Sequence, residues 1–258
     1  THVHSNGDRL ELRLEGFSHK LPTLLTEVLG GMASLEPDGE RFEACRETLR
    51  RALKNSIFKP SRHAAYLRLL SLQLESWPLE NQLEALEGLT AEKCRDFVRG
   101  LLSSSRRQVL IHGNATTEEV KSMVAEARSK FSAGPPRGPF VKRLALLKPG
   151  QRFVHSALAQ NPQEKNSASE VYFQVGEEND SDYAALSLLE QLVYEPFFDQ
   201  LRTKEQLGYS VSCGVRNTFG VLGFCFSVVS AKVSPPEIEE RVESFLEQFV
   251  ETVRGICL

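Results

Sequence analysis

Arg202-Thr203-Lys204-Glu205-Gln206-Leu207-Gly208-Tyr209 lies where a helical apolar pattern gives way to a strand pattern, and the reading of that junction decides the fold. Upstream, Asp182 to Leu201 places Ala185, Leu188, Leu189, Leu192 and Val193 on one stripe, the spacing of a helix packed on a sheet. Downstream, Gly208 to Val215 and Phe219 to Val229 alternate as two strands around Arg216-Asn217-Thr218, which predicts a hairpin. Ser234-Pro235-Pro236-Glu237 then caps a last helix whose Ile238, Val242, Phe245, Leu246, Phe249 and Val253 share a face. Helices segregated against mostly antiparallel strands define an α+β class.

Further back, Val141 to Leu147 and Arg152 to Gln160 read as strands joined by Lys148-Pro149-Gly150, and Glu170 to Val175 continues the sheet. Ser132 to Pro139, with two adjacent prolines, reads as a linker, which places a domain boundary near Pro136 and divides the chain into residues 1–136 and 137–258. In the first part Leu10, Leu12 and Leu14 alternate with Glu11, Arg13 and Glu15 as a half-buried strand. Leu21 to Leu102 is helical in four or five segments, punctuated at Pro37-Asp38-Gly39, Lys59-Pro60-Ser61, Trp77-Pro78 and Gly88-Leu89-Thr90. Thr90 is an N-cap, and Cys94, Phe97 and Leu101 fall on one helical face. Gln108 to Asn114 reads as a short buried strand closing on a turn, followed by a helix from Thr117 to Phe131.

With 41% hydrophobic and 25% charged residues the chain has an ordinary globular composition. Its 31 basic and 34 acidic residues are mixed along the sequence, with a net charge of −3 and no basic stripe, so nothing marks a nucleic-acid partner. No long uncharged apolar run suggests a membrane span. Cys45, Cys94, Cys213, Cys225 and Cys257 are odd in number and widely spaced, which reads as reduced thiols and a cytoplasmic or similarly reducing compartment. Thr1 opens just ahead of a strand pattern and Leu258 closes just after a helix, as in a piece of a larger protein. Sheet edges and apolar helix faces left uncovered in such a piece would favour a homodimer.

A single-zinc peptidase needs two imidazoles one helical turn apart with a carboxylate base, as HEXXH or the inverted HXXEH supplies, and neither occurs. Of the histidines at 2, 4, 19, 63, 112 and 155, only His2 and His4 are close in sequence; they read as a metal-binding pair or as an exposed tail. His112 reads as a strand-end residue, with no cysteine or serine nucleophile beside it. Arg202 suits the carbonyl end of a helix, and Tyr209, alternating with Val211 and Cys213, suits strand packing. Both also suit donation to the oxygen on which charge builds when a peptide bond is cleaved.

Arg202 to Tyr209 occurs with Tyr66-Leu67-Arg68-Leu69-Leu70, Leu110-Ile111-His112-Gly113-Asn114, Glu195-Pro196-Phe197-Phe198 and Arg241-Val242-Glu243-Ser244-Phe245-Leu246. So do Gly16 to Pro22 and Arg216 to Phe224. In order and spacing these resemble the non-catalytic C-terminal half of the pitrilysin family of zinc metallopeptidases, in its insulin-degrading enzyme and nardilysin branches. The resemblance implies parts of two consecutive α+β domains, residues 1–136 the later part of the third and 137–258 the earlier part of the fourth. It implies a chamber for peptide substrates, closed against the catalytic N-terminal half of the same protein, which carries the zinc. Arg202 and Tyr209 then match the pair that holds substrate backbone or the tetrahedral intermediate, while Lys204 and Glu205 shape the turn. No residue here inherits a catalytic or zinc-ligand role, so no cofactor is expected in this chain. A catalytically silent relative acting as a peptide-binding or scaffold protein is the alternative.

Overall fold

The computed structural model describes residues 1–5, 9–36, 38–103, 107–130 and 141–256. They form two compact units that do not follow chain order: one comprises Thr1–Thr48 with Glu84–Val141, the other Leu49–Leu83 with Lys142–Leu258. The boundary expected near Pro136 lies outside the described residues.

In the first unit β1 (His2–Ser5) and β2 (Leu10–Arg13) pair antiparallel with Val3 opposite Leu12. The helices α1 (Leu21–Ala33), the start of α2 (Gly39–Ser56), the end of α4 (Leu79–Glu87), α5 (Ala91–Ser103) and α6 (Thr117–Lys130) make up the rest. Their ends follow local chemistry. Thr90 Oγ1 accepts from Lys93 N at 3.2 Å at the start of α5. A capping box opens α6, in which Glu119 Oε2 accepts from Thr116 N at 2.7 Å and Thr116 Oγ1 from Glu119 N at 3.3 Å. Phe97 is exposed rather than inward, and the Phe131 end of the predicted α6 is outside the described residues.

The second unit carries the sheet. β3 (Ser167–Glu177), β4 (Ser210–Thr218) and β5 (Val221–Ser230) form an antiparallel sheet of order β3-β5-β4. The observed α+β architecture agrees with the patterning. Phe224, Phe226 and Val228 of β5 and Val211 and Cys213 of β4 alternate onto the face that meets α7 (Asp180–Phe198) and α8 (Pro235–Ile256). Phe197 of α7 sits fully buried at the centre of this core, edge-on to Phe226 at 5.0 Å and to Phe245 of α8 at 5.2 Å. On α7 the inward residues are Leu186, Val193 and Phe197, continued by Leu201, whereas the expected stripe leaves Ala185, Leu188, Leu189 and Leu192 exposed. The helix is apolar on both sides, so periodicity alone does not select its buried face.

Behind the sheet, α3 (Pro60–Leu72) lays Arg68 against β3, its Nε 2.8 Å from Glu170 Oε2 and its guanidinium 5.1 Å from the Tyr172 ring centre. The hairpin turn falls at Phe219-Gly220, just after the predicted Arg216-Asn217-Thr218, which lies in β4. Phe219 and Gly220 take φ of 52° and 81°, the left-handed pair of a two-residue turn, and Gly220 supplies that conformation without strain.

Three predicted strands are absent. Gln108 to Ile111 is irregular with Leu110 92% exposed, and Arg152 to Gln160 is irregular with Phe153, Val154 and Leu158 exposed. In Val141 to Leu147 pairing shrinks to a single bridge, Leu144 opposite Gln73. Gln174 of β3 extends it with its side chain, Oε1 accepting from Leu147 N and Nε2 donating to Ala145 O. A strand exists only where a neighbour completes its ladder; among the described residues the first two segments find none and the third finds only this bridge.

Candidate peptide-contact site

At the end of α7 the helix widens. Pro196 lacks the N–H that would close its turn, and Asp199–Lys204 continues as a π-helical turn, with Glu205 N bonded to Gln200 O at 2.9 Å. Arg202 leaves this turn partly exposed. Lys204 Nζ pairs with Asp199 Oδ2 at 2.9 Å across it.

The chain then reverses within four residues. Gln206 adopts φ of 53°, and Leu207 drops into the core as an anchor. Gly208 passes against β5 so closely that a Cβ there would lie 1.8 Å from Val229 O. Ser230, 1% exposed, donates its hydroxyl hydrogen to Leu207 O while its oxygen accepts from Lys232 N at 3.0 Å and Val233 N at 3.1 Å. A hydroxyl buried with all its partners holds the bend firmly.

Tyr209, emerging from this bracket, is 90% exposed, so it takes no part in packing the strand it precedes. The Arg202 guanidinium lies over its ring, 5.4 Å from the centre. The two predicted residues therefore meet, one from the π turn and one from the strand entrance. Together they present a guanidinium and a phenol, donors suited to a peptide carbonyl. Glu205 is tied into the fold. Its Oε1 accepts from Gln200 Nε2 at 2.8 Å and its Oε2 from Arg241 Nε at 2.7 Å, and the bond to Arg241 holds its carboxyl below the usual range.

Other candidates do not converge. His2 and His4 share the face of the β1–β2 hairpin with Arg13 and Glu11, their partners in the register. Among the described residues no group of three or more His, Cys, Asp or Glu side chains could hold a metal ion. His112 is exposed in a loop. Burial pushes the Cys213 and Cys225 thiols up to about 12, which keeps them protonated and poor nucleophiles. Sequence reasoning missed Gln200, inside the turn itself, and Ser230 and the role of Arg241, whose contacts with the junction come from distant parts of the chain.

The sheet unit is thus an α+β domain that presents an exposed arginine–tyrosine pair at a helix-to-strand junction. The family description "Peptidase M16 inactive domain" matches residues 88–256, and "Middle or third domain of peptidase_M16" matches residues 1–85. The chain belongs to the M16, or pitrilysin, family of metallopeptidases, and resembles the C-terminal half of its insulin-degrading enzyme and nardilysin members. It is 34% identical over 246 residues to a nardilysin-like protein of Arabidopsis thaliana, covering 93% of this chain and 24% of that protein. It is likewise 34% identical over 243 residues to human insulin-degrading enzyme, covering 91% and 24%. The crystal structure of pitrilysin superposes with a TM-score of 0.78 at 21% identity, covering 93% of this chain and 25% of that one. The chain thus spans about a quarter of the length of the curated relatives it matches. No helix among the described residues is long and apolar enough to cross a membrane.

Proposed function

We propose that this chain serves as non-catalytic structure in an insulysin- or nardilysin-like zinc metalloendopeptidase, where it helps close the peptide chamber and holds the bound peptide. The observation that carries the reading is Arg202 stacked over an exposed Tyr209 on a bracket built from buried groups.

When a peptide bond is attacked, negative charge develops on its carbonyl oxygen. A guanidinium and a phenolic O–H already held in place stabilise that charge with little reorganisation. Arg202 supplies a fixed positive charge with several donors, and Tyr209 a single directional one. Stacking limits the rotamers of both before substrate arrives, so less entropy is lost on binding. The family's zinc cofactor would supply the activated water. The residues described here do not form a site for it, so it would be held elsewhere in the enzyme.

The test joins these residues to a zinc-bearing family half in one polypeptide. Arg202→Ala and Tyr209→Phe should each lower kcat on a fluorogenic peptide by about 100- to 1,000-fold, the range for loss of one oxyanion donor, with smaller changes in KM. Undiminished turnover in both variants would overturn the reading and favour a silent, peptide-binding relative.

A further inference from the structure

Arg241-Val242-Glu243-Ser244-Phe245-Leu246 contributes more than core packing. Val242 and Phe245 point from α8 into the core, but Arg241 turns outward with its side chain 48% exposed and reaches Glu205. Glu205 is itself 15% exposed and holds Gln200 with its other oxygen. The junction is therefore fastened at three points. Its helix end is fixed by Phe197 and Leu201 in the core, and its strand end by Leu207, Gly208 and the Ser230 hydroxyl. Between them, the side-chain ties of Glu205 run to Gln200 within the turn and to Arg241 from α8.

We propose that Arg241 is a positioning residue: through Glu205 it fixes the π turn from which Arg202 meets Tyr209, and so sets the direction in which the pair faces a peptide. The inference rests on the peptide-contact reading above. The buried anchors keep the segment folded whether or not Arg241 is present, and glutamine at 241 can still donate a hydrogen bond to the largely covered Glu205 carboxylate. Between Leu201 and Leu207 no side chain is buried. Without Arg241, Glu205 retains only its bond within the turn, and Arg202 gains freedom to leave the Tyr209 ring.

Two measurements decide the matter. In the complete peptidase, Arg241→Gln and Glu205→Gln should each lower kcat about tenfold, the scale of a small misplacement, while KM stays within about twofold. The double variant should be no slower than either single one, since both break one tie. Arg152→Gln removes a different ion pair to α8, with Glu239 and Glu243, and should leave kcat unchanged. In the chain itself, NMR should show the Arg202 side-chain protons shifted by the Tyr209 ring, and that shift should collapse in Arg241→Gln at an unchanged unfolding midpoint.

Full activity of Arg241→Gln would overturn the proposal. So would an equal loss in Arg152→Gln, or a loss accounted for by a fallen midpoint. If Arg202→Ala and Tyr209→Phe prove silent, the peptide-contact reading fails by itself. The NMR comparison still decides whether Arg241 holds the pair.

Discussion

At Gly208 a backbone carbonyl, not a flexible side chain, occupies the place of a Cβ. Gly208→Ala must push β5 or the bracket aside, and is expected to cost about 2 kcal/mol, within the range for overpacking, read as a lower urea midpoint at unchanged slope. Gly255 on α8 provides the comparison. Nothing lies within 4 Å of its Cβ position, so alanine there should leave stability unchanged or raise it. Equal losses at the two glycines would show that close approach is not what Gly208 provides. The same argument explains why an exposed tyrosine can be held in one direction: the strain-free glycine, the left-handed Gln206 and the buried Ser230 hydroxyl determine the backbone, and the ring follows it.

Between elements, α3 and β3 are joined by a charged pair taken almost out of water. The Arg68 and Glu170 side chains are 12% and 8% exposed, and Tyr172 completes a polar cluster against Cys225, opposite it in the register. Removing one partner strands the other charge, so Glu170→Gln or Arg68→Met should cost about 3 kcal/mol. Replacing both with apolar groups should cost less than the sum, and the cycle of four unfolding curves measures the coupling. Additive losses would mean that the two charges are stabilised independently.

What could be read from the sequence divides along the same line. Helices α1 to α6 and the β4–β5 hairpin carry local patterns and end chemistry, and the order of Arg202, the bend and Tyr209 was readable because all three lie within eight residues. The strands expected at Gln108 to Asn114 and Arg152 to Gln160 failed because alternation identifies a face but not a neighbour. The turn at Phe219 was misplaced because a phenylalanine at positive φ has no compositional signal. Ser230 and Arg241 were invisible for a third reason: their contacts with the junction span 23 and 36 residues.

At the scale of the whole chain, apolar surface remains unspent. Leu188, Leu189 and Leu192 stand exposed along α7, and Phe153, Val154 and Leu158 are exposed on an irregular segment of the same unit. Scattered exposed leucines are normal, but three within two helical turns form a contiguous patch, which favours association. The exposed apolar side chains of the irregular segment add a second surface of this kind. The isolated chain is therefore expected to self-associate as its concentration rises, which light scattering across a dilution series would record as an increasing mean mass. Leu188→Glu with Leu192→Lys should shift that rise to higher concentration without lowering the unfolding midpoint, because neither side chain contributes to the α7 core. A constant monomer mass throughout the series would contradict the prediction. Association undisturbed by the two charges would move its cause from α7 to the irregular segment, where Leu158→Lys is the corresponding change.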